Sequence, residues 1–391
     1  MNSTTTQDLQ IDETALRAHV IVPSNILNIT TEKIDLKQPP AHAIPHGPQV
    51  AHLNGAGFCN TLHAALKNSV TGYVMQLQQH GSVIYTLEWN WAQTPSDVAT
   101  GWNPQVPMHV ASLSKMITAI SMTKVLDAHN ISYDASIAPY LPHYWVKGPN
   151  IATVSFRELM THTSGFTNGG ADFLSVKAQV AAGVPLQKHA QYENSNFSIL
   201  RILLSVIQGD IAVGATYAVP FNDQFWDIIT INGYRNYVNA NIFPQTGSNG
   251  TLAHNAGDAL AYNSPATGHG WNSGDLSTVC GAAGWHFSVA QLLKIMGSFR
   301  RGNTIMSPAH AQQMLDNMFG IDWKVARPLD GAFTYSKNGL WENGSGQTEQ
   351  AVAFYLPEDM EMAVFVNSPI NAAANFLENV VRDAYNGNIV A

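Results

Sequence analysis

Apolar residues recur along this chain with two different periods, and the changes of period mark out its elements. Alternation with period two runs through 72–78 and again through 82–89, on either side of His80-Gly81, and predicts a β-hairpin. Helical spacing replaces it at 61–67 and again where Leu113, Met116, Ile117 and Ile120 follow Val110 and Ala111, predicting a buried helix that opens near residue 112. Between 136 and 272 the pattern is one of helices and long loops. It includes an apolar run of Ile199, Leu200, Ile202, Leu203, Leu204, Val206 and Ile207, and a Gly/Asn/Ser-rich tract at 246–274 that predicts a meandering surface loop. Ser288 is placed to cap a helix carrying Leu292, Leu293 and Met296, and strands are predicted at 333–336, 350–356 and 361–366. Ser368-Pro369 opens a last helix with the stripe Ile370, Ala373, Ala374, Leu377, Val381 and Ala384, closed by Gly387.

Strands therefore come from both ends of the chain and helices from its middle. The fold class this predicts is α/β of the α+β type: an antiparallel sheet flanked by helices, with a mostly helical part inserted. The expected division is an arm at 1–55, polar, proline-bearing and aperiodic; a sheet-bearing part at 56–135 and 275–391; and a mostly helical part at 136–274. There is no internal repeat. Composition adds limits: 391 residues with 45% hydrophobic content can bury a large core, and 19 Lys+Arg against 27 Asp+Glu, with no basic cluster, give nucleic-acid binding no support. No apolar run of about twenty residues is present, so no membrane span is expected. The N-terminus lacks the basic start and apolar core of a secretory leader, which leaves a cytoplasmic protein or a mature form, with a periplasmic or secreted location preferred.

Three polar groups stand out against the apolar pattern. Ser112-Leu113-Ser114-Lys115 puts a hydroxyl three residues before an amine, so that both face one spot on a helix. A lysine drawn into such a core has to be explained, because neutralising it at neutral pH costs about 4.6 kcal/mol in water and burial supplies part of that. Tyr192-Glu193-Asn194 presents a phenol and an amide at the mouth of the 199–207 run, and Lys337-Asn338-Gly339 ends a short strand, placing a second amine along a strand edge.

In this order and spacing the motifs resemble those of the serine β-lactamases and penicillin-recognising enzymes, most closely the class C branch with its D-alanyl-D-alanine peptidase and β-lactamase-like esterase relatives. The matching pieces are Ala111-Ser112-Leu113-Ser114-Lys115, residues 159–166, Tyr192-Glu193-Asn194, Ala283-Gly284 and Lys337-Asn338-Gly339. The resemblance implies an acyl-enzyme mechanism in which Ser112 is the nucleophile, Lys115 and Tyr192 move its proton, and Asn194 holds Lys115 and the substrate. By the same resemblance the backbone N–H groups of Ser112 and Leu340 form the oxyanion hole. Which of Lys115 and Tyr192 is the base stays open at this level. Asn338 stands where β-lactamases of this type carry threonine, so loss of a hydroxyl predicts that esters or peptides are turned over at least about tenfold better than β-lactams. Lys337 predicts a preference for acyl donors bearing a carboxylate.

The function expected is a serine hydrolase acting on small esters or amides, of the esterase or D-amino-acid peptidase type. The alternatives are a true class C-like β-lactamase, a cell-wall D-alanyl-D-alanine carboxypeptidase, or a non-catalytic binding relative. Only a small-molecule ester, amide or peptide is implied as partner, and no cofactor or metal: His42, His46 and His52 lie in a stretch that Pro45 and Pro48 make extended. His162-Thr163-Ser164-Gly165 resembles the family's structural turn near the site, and no Gly-x-Ser-x-Gly elbow occurs. Glu193 is expected to point to solvent, with tuning of Tyr192 as the alternative. Cys59 and Cys280 are expected as buried free thiols rather than a disulfide.

Overall fold

The computed structural model describes residues 53–370, except 168 and 219, together with 377–390 and the backbone of 42–45. Its strands are β1 (His42–Pro45), β2 (Gly72–Gln79), β3 (Ser82–Gln93), β4 (Thr100–Gly101), β5 (Met108–His109), β6 (His286–Phe287), β7 (Trp323–Ala326), β8 (Phe333–Glu342), β9 (Thr348–Leu356) and β10 (Met360–Val366). Its helices are α1 (Gly55–Leu66), α2 (Ser114–Ala128), α3 (Phe156–Met160), α4 (Phe173–Ala182), α5 (Ser195–Gln208), α6 (Asn222–Asn241), α7 (Phe243–Thr246), α8 (Val289–Arg301), α9 (Pro308–Asp316) and α10 (Leu377–Asn386).

The main sheet runs β1-β3-β2-β10-β9-β8-β7, antiparallel throughout, with β4 pairing beside β3. The hairpin joining β2 and β3 turns through His80 and Gly81, both at positive φ (49° and 79°), as a two-residue turn matched to strand twist requires. Side chains alternate across the sheet. Met75, Leu77, Val352, Phe354, Met362 and Val364 pack with Phe58 and Leu62 of α1 and with Leu377 and Val381 of α10. Val74, Ala351, Ala353, Tyr355, Ala363 and Phe365 face the other way, into a larger core with Leu292, Met296 and Phe299 of α8 and with α2 and α5. Because both faces are covered, β9 and β10 are buried along their whole length, and from Ala351 to Leu356 and through β10, save for Glu361, their sequences are almost wholly apolar.

Between the two sheet-forming segments lie α3 to α7 and long connections. α5 is buried at every residue from Ser195 to Ser205 and α2 at nearly every position, so both are interior helices rather than amphipathic ones. Ser288 caps α8 in a reciprocal capping box with Gln291, as its position predicts.

Three expectations change, and a fourth is only partly described. The strand expected at 333–336 continues to Glu342, so Lys337, Asn338, Gly339 and Leu340 lie inside it, and the outer neighbour β7 shows too little patterning to be predicted. The 246–274 tract is not simply a surface loop: Asp258, Ala259, Ala261, Tyr262 and Ser273 are buried, and short bridges join Thr251 to His286, Ala253 to Asp275, Ala261 to Trp271 and Tyr262 to Thr348. Within the span read as an aperiodic arm, His42–Pro45 pairs with β3. The last helix is described only from Leu377, and its expected start lies partly outside the described residues. Cys59 and Cys280 are free and buried, and burial pushes each thiol up to about 12.

Candidate active site

Ser112 does not sit in the helix that the periodicity predicts but in the 3-10 turn Ala111–Leu113 just before α2. Ala111 has φ 48°, a left-handed conformation that an alanine adopts at a penalty of about 1–2 kcal/mol. The Val110 N–H donates to the Trp285 carbonyl (2.9 Å) and the Leu113 N–H to that of Val110 (3.1 Å), which holds the turn in place. β8 lies directly against it. A methyl group at Gly339 would come within 2.3 Å of the Val110 oxygen and 3.3 Å of the Ser112 nitrogen, so glycine is required for this approach.

Three residues on from Ser112, Lys115 is fully buried. Its Nζ lies 2.9 Å from Ser112 Oγ, 2.8 Å from Asn194 Oδ1 and 2.9 Å from the Ala282 carbonyl oxygen. Asn194 occupies the N-cap of α5, where its side chain would ordinarily accept from the helix's first N–H groups, yet it makes no such bond and serves Lys115 instead. Burial, reinforced by the charge of Lys337, holds Lys115 below the usual lysine range against the opposing pull of Tyr192.

Tyr192, about half exposed, lies between the two amines: Lys115 Nζ is 5.0 Å and Lys337 Nζ 4.9 Å from its ring centroid. Burial of the hydroxyl would raise its pKa, but the two neighbouring cations outweigh that and hold the phenol below its ordinary value. The ring is stacked on His162 at a centroid distance of 4.3 Å. His162 sits at φ 57° and accepts at Nδ1 from the Glu193 N–H (3.2 Å); desolvation, with Lys337 and Lys115 adding to it, lowers its pKa from 6.5 to about 2, so the ring is neutral. Glu193 turns inward rather than to solvent, 6% exposed, and takes a hydrogen bond from Gln191 (2.6 Å).

Lys337 is not a free ammonium on a strand edge. It is buried in the second strand from the edge and donates to Asp322 Oδ1 (2.5 Å), while Asp322 Oδ2 accepts from the Asn338 N–H (3.0 Å). Burial pulls its pKa down, yet Asp322 and Tyr192 together hold it above the usual lysine value. The carboxylate offsets the charge on which a preference for anionic substrates would rest. Asn338 is partly exposed and Leu340 exposed, beyond this pair.

Ser112, Lys115, Tyr192, Asn194, Lys337 and Gly339 thus converge, from the turn before α2, the start of α5 and the middle of β8. Sequence reasoning missed Asp322 and the Ala282 carbonyl. No pattern marks an aspartate before an unpredicted edge strand, and a backbone oxygen carries no residue signature, although Ala283-Gly284 flagged the right segment.

Comparisons with known proteins bear on the fold and the family. A segment of 116 residues is 28% identical to the putative penicillin-binding protein PbpX of Bacillus subtilis (strain 168), spanning 28% of this chain and 28% of that protein's length. The beta-lactamase/D-alanine carboxypeptidase of Yersinia pestis superposes with a TM-score of 0.62 at 15% identity, over 85% of this chain and 98% of the other. The D-stereospecific amidohydrolase of Streptomyces sp. gives 0.60 at 17% identity, over 84% and 98%. At these identities the two superpositions establish a shared fold. The sequence model of the Beta-lactamase family matches residues 58–385, nearly the whole described body, and the chain therefore belongs to the beta-lactamase family of hydrolases.

Proposed function

We propose that this protein is a serine hydrolase that cleaves small esters or amides through an acyl-enzyme on Ser112. The observation that carries the reading is the coordination of Lys115. A neutral amine has two hydrogens and one lone pair. The Asn194 and Ala282 oxygens take the two hydrogens, and the lone pair is left facing Ser112 Oγ at 2.9 Å. In this reading Lys115 accepts the serine proton as Oγ attacks the substrate carbonyl, the C–O bond to Ser112 forms, and the carbonyl becomes an oxyanion received by the backbone N–H groups of Ser112 and Leu340. Tyr192 gives its hydroxyl proton to the leaving alcohol or amine as it takes the proton held by Lys115, with the Lys337 cation beside it favouring that transfer. In deacylation the relay runs in reverse: the attacking water gives a proton to Tyr192 as Tyr192 passes its own to Lys115, and Lys115 returns a proton to Ser112 Oγ as the acyl C–O bond breaks. The Lys337–Asp322 pair keeps the positive field over Tyr192 while adding little net charge to the cleft, which suits neutral acyl donors as well as anionic ones.

The test is mass spectrometry of the intact protein after exposure to a fluorophosphonate and, separately, to a penicillin, with Ser112→Ala as the control. A single adduct that disappears in the control is expected, and an adduct that persists in Ser112→Ala would remove the assignment. A panel of p-nitrophenyl esters, D-alanyl peptides and nitrocefin then separates the reaction types. Nitrocefin as the best substrate would make the protein a β-lactamase proper. Lys115→Ala is expected to slow acylation by about 10²-fold or more, and an unchanged rate would exclude the amine from proton transfer.

A further inference from the structure

A second polar cluster lies apart from Lys115 and Tyr192, where the 246–274 tract crosses the β5–β6 ribbon. His254, Asp258 and His286 each offer a donor atom there, all within 4.8 Å of one another. His254 and Asp258 are four residues apart on a turn in which the Asp258 N–H donates to the Asn255 carbonyl (3.0 Å). His286 is brought opposite by β6, whose backbone exchanges hydrogen bonds with Thr251 (2.8 and 3.4 Å).

We propose that His254, Asp258 and His286 bind one divalent transition-metal ion of the zinc type, which fastens the 246–274 tract to the β5–β6 ribbon. Three observations point the same way. The His286 Nδ1–H donates to the Gly284 carbonyl (3.0 Å), fixing the tautomer that leaves Nε2 as a lone-pair donor, and a metal-ligating imidazole is ordinarily oriented by such a bond. Nε2 has only a long contact of 3.3 Å, to Ser273 Oγ. The Nδ1 of His254 is buried with no hydrogen-bond partner, a state that a ligated nitrogen would relieve.

The third observation is charge. Asp258 is 2% exposed and forms no ion pair with a lysine or arginine among the described residues; one carboxylate oxygen takes the Asn255 N–H at 2.9 Å. Glu349, wholly buried, borders the same chamber through His109, whose Nδ1 is 3.0 Å from Glu349 Oε2 and whose ring centroid is 5.2 Å from that of His286. A buried carboxylate without a cation is costly, and a divalent ion would balance Asp258. Two imidazoles and a carboxylate with water in the fourth position make a donor set suited to Zn(II). Bonds of about 2.0–2.1 Å place tetrahedral ligands roughly 3.4 Å apart, so binding would draw the three atoms together by at most about 1.4 Å.

The full chain, stripped with EDTA, is equilibrated with ZnCl2, passed over a desalting column and assayed for zinc by mass spectrometry. In parallel Co(II) is added and its visible absorption recorded. Wild type is expected to retain one equivalent of zinc, to melt at higher temperature with zinc than with EDTA, and to give the intense absorption of four-coordinate Co(II). His254→Ala, at a partly exposed loop position, and Asp258→Asn should each lose that equivalent and the thermal shift. Equal zinc retention in the wild type and in the folded variants would overturn the proposal, as would a wild type that retains none. The Co(II) spectrum needs no variant, and a weak six-coordinate spectrum would overturn the proposal even if both substitutions prevented folding. Labelling of Ser112 is unaffected by these outcomes, so the hydrolase reading stands or falls separately.

Discussion

Lys337 and Asp322 show how a single unpredicted contact alters the meaning of a residue. A lysine in the Lys337-Asn338-Gly339 motif predicts an anion-binding ammonium, but this one is already engaged at 2.5 Å by a carboxylate that is itself 89% buried, its side chain 11% exposed. Removing either partner leaves an uncompensated buried charge, whereas removing both leaves none. Lys337→Met and Asp322→Asn are therefore each expected to destabilise the protein by about 3–5 kcal/mol in urea unfolding, and the double variant to recover most of that loss. Additive losses would show that the two side chains act independently. His162 carries a prediction of the opposite kind. Its folded pKa of about 2 lies below the unfolded 6.5, so as pH falls beneath 6.5 the unfolded chain takes up a proton that the folded protein refuses, and stability drops. His162→Asn keeps an acceptor and a residue tolerant of positive φ but removes the titration. The stability gap between wild type and variant should shift toward the variant by about 1.4 kcal/mol per pH unit between pH 6 and 4. Parallel curves would mean that the ring is protonated in the folded state.

Among the elements, the turn at Ala111–Leu113 and strand β8 meet at Gly339 with no room for a side chain. Gly339→Ala should leave secondary structure intact while pushing β8 away from Ser112. We expect fluorophosphonate labelling of Ser112 to slow by at least about 10²-fold, since displacing a reacting group by an ångström is enough to do so. An unchanged labelling rate would show that the strand is not part of the site. The same elements mark how far the sequence was readable. The hairpin at His80-Gly81, the run from Ile199 to Ile207 and the cap at Ser288 were legible because each has a local cause: a turn chemistry, a period, a capping pair. Ser112, Lys115, Tyr192 and Asn194 were legible as a spaced set. The left-handed Ala111, the true length of β8 and the inward turn of Glu193 were not, because each is imposed by contacts with chain far away in sequence. The tract at 246–274 misled for a related reason. Its polar composition suggests solvent, yet Asp258 and Ser273 are polar residues placed inside.

On the scale of the whole molecule, the sheet joins strands from both halves of the chain where β2 pairs with β10, and leaves the inserted helices on one side. α1 and α10 pack side by side over the opposite face. The bridge between Leu53 and Ile389, with the Asn54 N–H donating to the Asn388 carbonyl at 2.9 Å, brings the first and last residues of this body into contact. Topologically, the segment from Leu53 to Val390 is almost a closed ring. If so, sequence order is not needed for the architecture. A circular permutant that joins Val390 to Leu53 through a short glycine-serine linker and opens the exposed β8–β9 turn at Gly344 should fold, keep its melting temperature within a few degrees and still label at Ser112. Failure to label in a soluble, folded permutant would show that the β8–β9 hairpin must be continuous for the cleft to form, and the reactive geometry would then depend on that one turn rather than on the ring.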